Sequence, residues 1–187
     1  MIFRHFLLSV NEANAFLMAC SETREAMLID AGEVPGDLAG LLQEHGLNLA
    51  KVFITHDHYD HTGGLPDIVE TYQPQVFAAA ETCGGVAVTE RVKQGSEVTV
   101  GAMKGVVLET PGHTPDGVSL AFPGFAFSGD ALFAGSIGGT ASPALAKSLI
   151  SHVRKQLFSL PPDTEIYTGH GAATTVAIER DLNPFFQ

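Results

Sequence analysis

Apolar and polar positions along this chain fall into many short runs and few long ones. Strand-like stretches occupy about residues 2–9, 14–20, 25–30, 50–55, 75–79, 97–100, 104–109, 117–122, 124–128 and 164–168. Helical periodicity is rarer. Leu38, Leu41 and Leu42 make a short apolar stripe that stops at His45-Gly46. A longer stripe of Leu145, Leu149, Val153 and Leu157 repeats every four residues, with Ser142-Pro143 as a natural start and Pro161-Pro162 as a natural stop. Strands through the middle with helices dispersed around them predict an α/β protein of two sheets packed face to face with helices outside. No low-complexity stretch, long linker or charge block divides the sequence. A single domain over residues 1–187, with no separate C-terminal helical domain, is therefore expected.

Composition narrows the class. A hydrophobic content of 45% with 17% charged residues is ordinary for a soluble globular protein, and no apolar run approaches the ~20 residues of a membrane span. The N-terminus lacks the paired basic start and small-residue cleavage site of a signal peptide, so a cytoplasmic location without a membrane partner is expected. Ten basic residues against 21 acidic ones give a net charge of −11, which disfavours nucleic acid as a partner because phosphates need a basic surface. Cys20 and Cys83 form no CxxC and no disulfide framework. Cys20 sits in an apolar run and is predicted in the core. Cys83 lies in a polar, glycine-flanked stretch where a reactive thiol is open.

The chemistry concentrates at HDHYDH, residues 56–61, just after the apolar run Leu49 to Ile54. Side chains two apart in an extended segment share a side, so His56 and His58 can close on one ion. Asp60 and His61 follow in the turn, where they can be aimed at a second. Nitrogen and carboxylate donors suit zinc, iron or manganese, and the absence of thiolate argues against a purely structural zinc site. Three further candidates stand after strand-like runs with a glycine beside each: His113 in TPGHT, Asp130 in FSGDALF and His170 in YTGHG. Singly, each reads as a turn residue; together they bring the donors to seven, enough for two ions with a position left open for water. His5, His45 and His152 read as surface or helix positions. Gly135 to Gly139, without a following Lys, reads as a flexible segment and not as a phosphate cradle. Tyr59 between two donors faces a substrate pocket or packs; both stay open.

HDHYDH followed by His113, Asp130 and His170 resembles the metallo-β-lactamase superfamily, over most of the chain. The resemblance implies a four-layer αββα sandwich with the ligands along one edge of the sheets. It implies that His56, His58 and His113 hold a first metal, that Asp60, His61 and His170 hold a second, and that Asp130 bridges them. Asp30 in AMLIDAG matches the family's first motif, an acid that steadies the ligand loop; read alone, an Asp before Ala-Gly is a good turn former. Asp60 and Asp130 are the expected catalytic carboxylates, Asp60 to orient a hydroxide or shuttle its proton. FSGDALFAGSIGGT and YTGHGAATTVAIERDLNPFF resemble the short glyoxalase II-like hydrolases. That likeness implies a thioesterase cleaving a small substrate, S-2-hydroxyacylglutathione, through a hydroxide bridging two divalent ions, with zinc expected and iron or manganese possible. Members usually carry Arg-Thr-Asp after the GSIG segment, whereas this chain has Gly139, Thr140 and Ala141, which removes a basic and an acidic group. An alternative from another class is an oxidoreductase like the persulfide dioxygenases, with one iron on the equivalents of His56, His113 and Asp130. Lactonase or β-lactamase chemistry would use the same hydroxide.

Overall fold

Residues Asn14 to Ala19 are buried at every position, which only a strand covered on both faces allows. The computed structural model describes residues 1–187 and shows what covers each face. Two six-stranded sheets carry the chain. The first joins β1 (Ile2–Leu7), β2 (Asn14–Ala19), β3 (Glu25–Ile29), β4 (Asn48–Phe53), β5 (Gln75–Ala78) and, beyond the small hairpin β6 (Thr82–Cys83) and β7 (Val86–Ala87), β8 (Glu90–Arg91), in the order β1-β2-β3-β4-β5-β8. The second is built of β9 (Glu97–Val100), β10 (Met103–Glu109), β11 (Val118–Phe122), β12 (Phe125–Gly129), β13 (Glu165–Thr168) and β14 (Thr174–Thr175), in the order β14-β13-β12-β11-β10-β9. Strands β3, β4 and β5 run parallel, as do β12 and β13, while the hairpins are antiparallel.

Alternation along the strands then sorts side chains into layers. Phe16, Met18, Met27, Ile29 and Phe53 of the first sheet meet Val107, Val118, Leu120, Phe122 and Phe127 of the second in one buried cluster between the sheets. The opposite faces are apolar too. Ala15, Leu17 and Leu28 pack with Leu38, Leu41 and Leu42 of α1 (Leu38–His45) and with residues of α3 (Leu65–Tyr72), which follows the single turn α2 (Tyr59–Thr62). Ala121 and Ala126 pack with Leu149 and Val153 of α4 (Pro143–Gln156) and with Val176 of α5 (Val176–Leu182). The molecule is an αββα sandwich.

Local rules account for the helix ends. Gly46 closes α1 in the left-handed conformation, φ 58°. Ser142 caps α4, its side chain accepting from the Leu145 amide at 3.3 Å, with Pro143 in the first turn. Leu149, Val153 and Leu157 of the stripe are fully buried, but Leu145, in the first turn of α4, stays 42% exposed. Helices α3 and α5 escape the periodicity. Each buries only two side chains, too few to make a stripe. The two-residue strands β6, β7, β8 and β14 are likewise too short to show a pattern. Cys20 is buried as expected, but Cys83, in a stretch that looked open, is fully buried; burial pushes its thiol up to about 12.

Candidate metal centre

Strands β3 and β4 are parallel neighbours, so their C-terminal ends open at the same edge. Asp30 follows β3 in the left-handed conformation, φ 58°, which Asp tolerates better than most residues. From there its carboxylate reaches the loop after β4. Oδ1 accepts from the Thr55 amide at 2.8 Å, and Oδ2 accepts from the Thr55 hydroxyl at 2.9 Å and from His61 Nδ1 at 2.9 Å. The HDHYDH segment starts as loop and ends as helix α2, so Asp60 and His61 lie in a helical turn where the sequence reading placed an open one. The second sheet brings His113 from beyond β10, Asp130 from beyond β12 and His170 from beyond β13.

The structure draws all seven candidate donors together. Their ligand atoms fall into three overlapping groups, each within 4.8 Å: His56, His58 and His113; His56, His61 and Asp130; Asp60, His61 and His170. His113 Nε2 lies 3.0 Å from His58 Nδ1 and 3.4 Å from Asp130 Oδ2. His170 Nε2 lies 3.4 Å from Asp60 Oδ2 and 3.6 Å from Asp130 Oδ2. Asp130 sits between the two sides, with His61 Nε2 at 3.4 Å and His56 Nε2 at 4.0 Å.

Hydrogen bonds fix which ring nitrogens face inward. The Thr55 hydroxyl gives its proton to Asp30, so at 3.0 Å it must accept from His56 Nδ1, leaving the His56 Nε2 lone pair turned to the cluster. His61 Nδ1 donates to Asp30 and His113 Nδ1 to the Gly139 carbonyl at 2.5 Å, leaving both Nε2 atoms inward. Imidazoles anchored through one nitrogen and bare at the other are what a metal ligand requires. His56 Nε2 and Asp130 Oδ1 are buried with no hydrogen-bond partner, a costly state that a cation at the centre would satisfy. The donor set therefore fits divalent metal ions.

Without metal, the same crowding polarises the cluster. Burial first, then the neighbouring imidazole of His61, pushes His56 down to about 2. Burial pushes His61 down as well, but the Asp30 and Asp130 carboxylates outweigh it and raise it to about 10. Asp130 is held below the usual carboxylate range: burial raises it, and the bond to His61 with the surrounding imidazoles lowers it further.

Several contributors carry no motif. Gly169 lies against Asp130 so closely that any Cβ there would overlap its carboxylate. Residues 135–139 form a tethered segment where the sequence reading had a flexible one. Gly135 N–H donates to Glu179 Oε2 at 2.9 Å, and the Ser136 carbonyl accepts from Asn183 Nδ2 at 3.0 Å. Glu179 is a buried carboxylate that also accepts from Thr174 Oγ1 at 2.6 Å and from Asn183 Nδ2 at 2.8 Å. A Glu and an Asn in an amphipathic tail give no sign of this in sequence. Tyr59 does not pack: it is 76% exposed beside the donors. His45 and His152 lie on helices away from the centre, and His5 lies on β1.

Residues 8–170 match the model of the metallo-β-lactamase superfamily. The chain belongs to that superfamily, whose members bind divalent metals. It is 30% identical over 168 residues to the hydroxyacylglutathione hydrolase of Idiomarina loihiensis, a match covering 89% of this chain and 64% of that protein. It is 29% identical to the probable metallo-hydrolase YqgX of Bacillus subtilis, with 93% and 92% of the two chains covered. Among solved structures, ETHE1 from Myxococcus xanthus superposes with a TM-score of 0.86 at 34% identity, over 98% of this chain and 84% of that one. TTHA1623, solved in a di-iron-bound form, gives 0.79 at 32% identity over 97% and 99%. The chain thus shares its fold and donor set with a metal-binding superfamily whose named members include hydrolases.

Proposed function

We propose that the chain is a thioesterase of the hydroxyacylglutathione hydrolase type, acting with two divalent ions, zinc in the first place, on an S-2-hydroxyacyl thioester. The reading is carried by the meeting of two donor groups at one carboxylate. His56, His58 and His113 would hold one ion, Asp60, His61 and His170 the other, and Asp130 lies within 4.0 Å of donors from both. Bound there, divalent ions supply a Lewis acid for a carbonyl oxygen and make water ionisable near neutral pH.

The chain's own residues do the rest. Asp60, half-buried at the mouth, has its Oδ2 fixed by Asn11 Nδ2 at 3.1 Å and is the carboxylate placed to orient the attacking water and take up its proton. Asp30 keeps His61 in one tautomer, and through Thr55 does the same for His56. Apart from the donors and Asp30, whose carboxylate is occupied by three hydrogen bonds, the centre presents no buried acid, which suits a thiolate leaving group that departs without protonation. The names of the relatives support a glutathione thioester, and the chain spans 64% of the first relative's length.

A second reading has its own geometric support: His56, His113 and Asp130 converge as a three-donor set, with Asp130 Oδ2 at 4.0 and 3.4 Å from the two imidazoles, enough for a single iron and a dioxygenase acting on persulfides. The deciding experiment is metal analysis after aerobic purification together with a panel of lactoylglutathione, lactone, β-lactam and glutathione persulfide. Two metals per chain with lactoylglutathione hydrolysis is the expected result. One iron with oxygen uptake on the persulfide would replace the hydrolase reading by the dioxygenase. Hydrolysis of the lactone or β-lactam alone would keep the hydrolase and change its substrate.

A further inference from the structure

The hairpin between β1 and β2 touches only one side of the donor cluster. Asn11, in its turn, donates to Asp60 Oδ2 at 3.1 Å. Ala13 makes an isolated antiparallel bridge to His170. Asn14, the first residue of β2 and only 2% exposed, makes the densest set of contacts. Its backbone amide donates to the Gly169 carbonyl at 2.8 Å. Its side-chain Nδ2 donates to the Thr168 and Gly171 carbonyls, both at 2.9 Å. With both amide protons so used, Oδ1 must be the atom facing His5 Nε2 at 2.7 Å, and it accepts from that ring nitrogen. One buried carboxamide thereby saturates its hydrogen bonds and grips the carbonyls on both sides of His170.

We propose that Asn14 is a positioning residue for the second donor group: it holds loop 168–171 so that His170 Nε2 stays beside Asp60 and Asp130, and thereby sets the affinity of that group for its ion. Nothing in the grip contacts His56, His58 or His113 directly. Gly169, within the gripped loop, is wedged against Asp130 and hydrogen-bonded through its amide to the Gly129 carbonyl at 2.9 Å. The inference rests on the two-ion reading above.

Stepwise zinc(II) binding by chelator competition tests it on the full chain and on two variants. Asn14→Asp keeps the volume and replaces the donating nitrogen by an oxygen that faces two carbonyls. Asn14→Ala removes the grip altogether. In both, one of the two zinc steps is expected to lose roughly 10–100-fold in affinity, the range for groups that orient metal ligands, while the other is left unchanged. His5→Ala, which removes only the bond to Oδ1, is expected to weaken the same step by a smaller factor. Equal loss at both steps, in parallel with a lowered melting temperature, would show a merely structural role and overturn the proposal. So would two unchanged steps in Asn14→Asp. A wild-type chain that saturates with one zinc would instead overturn the two-ion reading itself, and this inference with it, before any variant is made.

Discussion

Asp30 joins two of the imidazoles through one side chain. It accepts three hydrogen bonds, from the Thr55 amide, the Thr55 hydroxyl and His61 Nδ1. An asparagine in its place would keep the left-handed backbone, which that residue type also tolerates, but would turn an NH2 group toward donors. We therefore expect Asp30→Asn to fold normally and to lose about 10–100-fold in metal affinity or turnover; a titration and rates indistinguishable from wild type would leave Asp30 as a turn former only. The two thiols give a second test at this scale. The Thr23 side chain and neighbouring backbone bonds bring Cys20 down to about 7, whereas burial drives Cys83 up to about 12. Because the thiolate is the nucleophile, and because Cys20 keeps 7% of its surface exposed where Cys83 has none, a small alkylating reagent at pH 8 should modify Cys20 first and reach Cys83 only on unfolding. Mass spectrometry of the native protein reads this directly. At residue scale the sequence was legible where chemistry is rare: five histidines and two aspartates stand out by type and spacing. It was silent about Asn14, Glu179 and Asn183, since amides and a helical Glu acquire meaning only from the carbonyls and amides that the fold sets opposite them.

Elements show the same division. Strands β2, β3 and β4 are visible because both faces are covered, and α4 because its stripe spans four turns. Helices α3 and α5 each bury two side chains, below what periodicity can signal. The segment from Gly135 to Ala141 is more informative folded than unfolded. Its Gly139 carbonyl orients His113, while a side chain added at Gly139 would meet no atom within 4 Å, and Ala141 is exposed. The position can therefore take the basic residue that related sequences carry without disturbing the centre. We expect Gly139→Arg with Ala141→Asp to lower KM for lactoylglutathione several-fold while leaving kcat nearly unchanged, the signature of added uniform binding. A fall in kcat with KM constant would show that the segment acts on His113 and not on the substrate.

For the molecule as a whole, the layers followed from pattern alone, but which strand ends share an edge did not, because pairing order is a property of the sheet. No helix is long and apolar enough to cross a membrane. Since the unfolded chain cannot assemble these donors, bound metal stabilises the fold by linkage: each ion at 100-fold above its Kd adds about 2.7 kcal/mol. For a chain of this size that is about 5–11 °C in Tm per ion. Chelation should lower Tm by this amount and re-addition of zinc should restore it; a melting curve indifferent to chelator would mean that no metal is bound to the native chain in preference to the unfolded one.

The first sheet supplies His56, His58, Asp60 and His61, and the second supplies His113, Asp130 and His170. No one of the three donor groups lies within a single sheet. A growing chain therefore cannot complete any of the three groups until its second half has been made and docked. A complete donor group is thus a mark of finished assembly, and a half-made or misdocked copy would lack one.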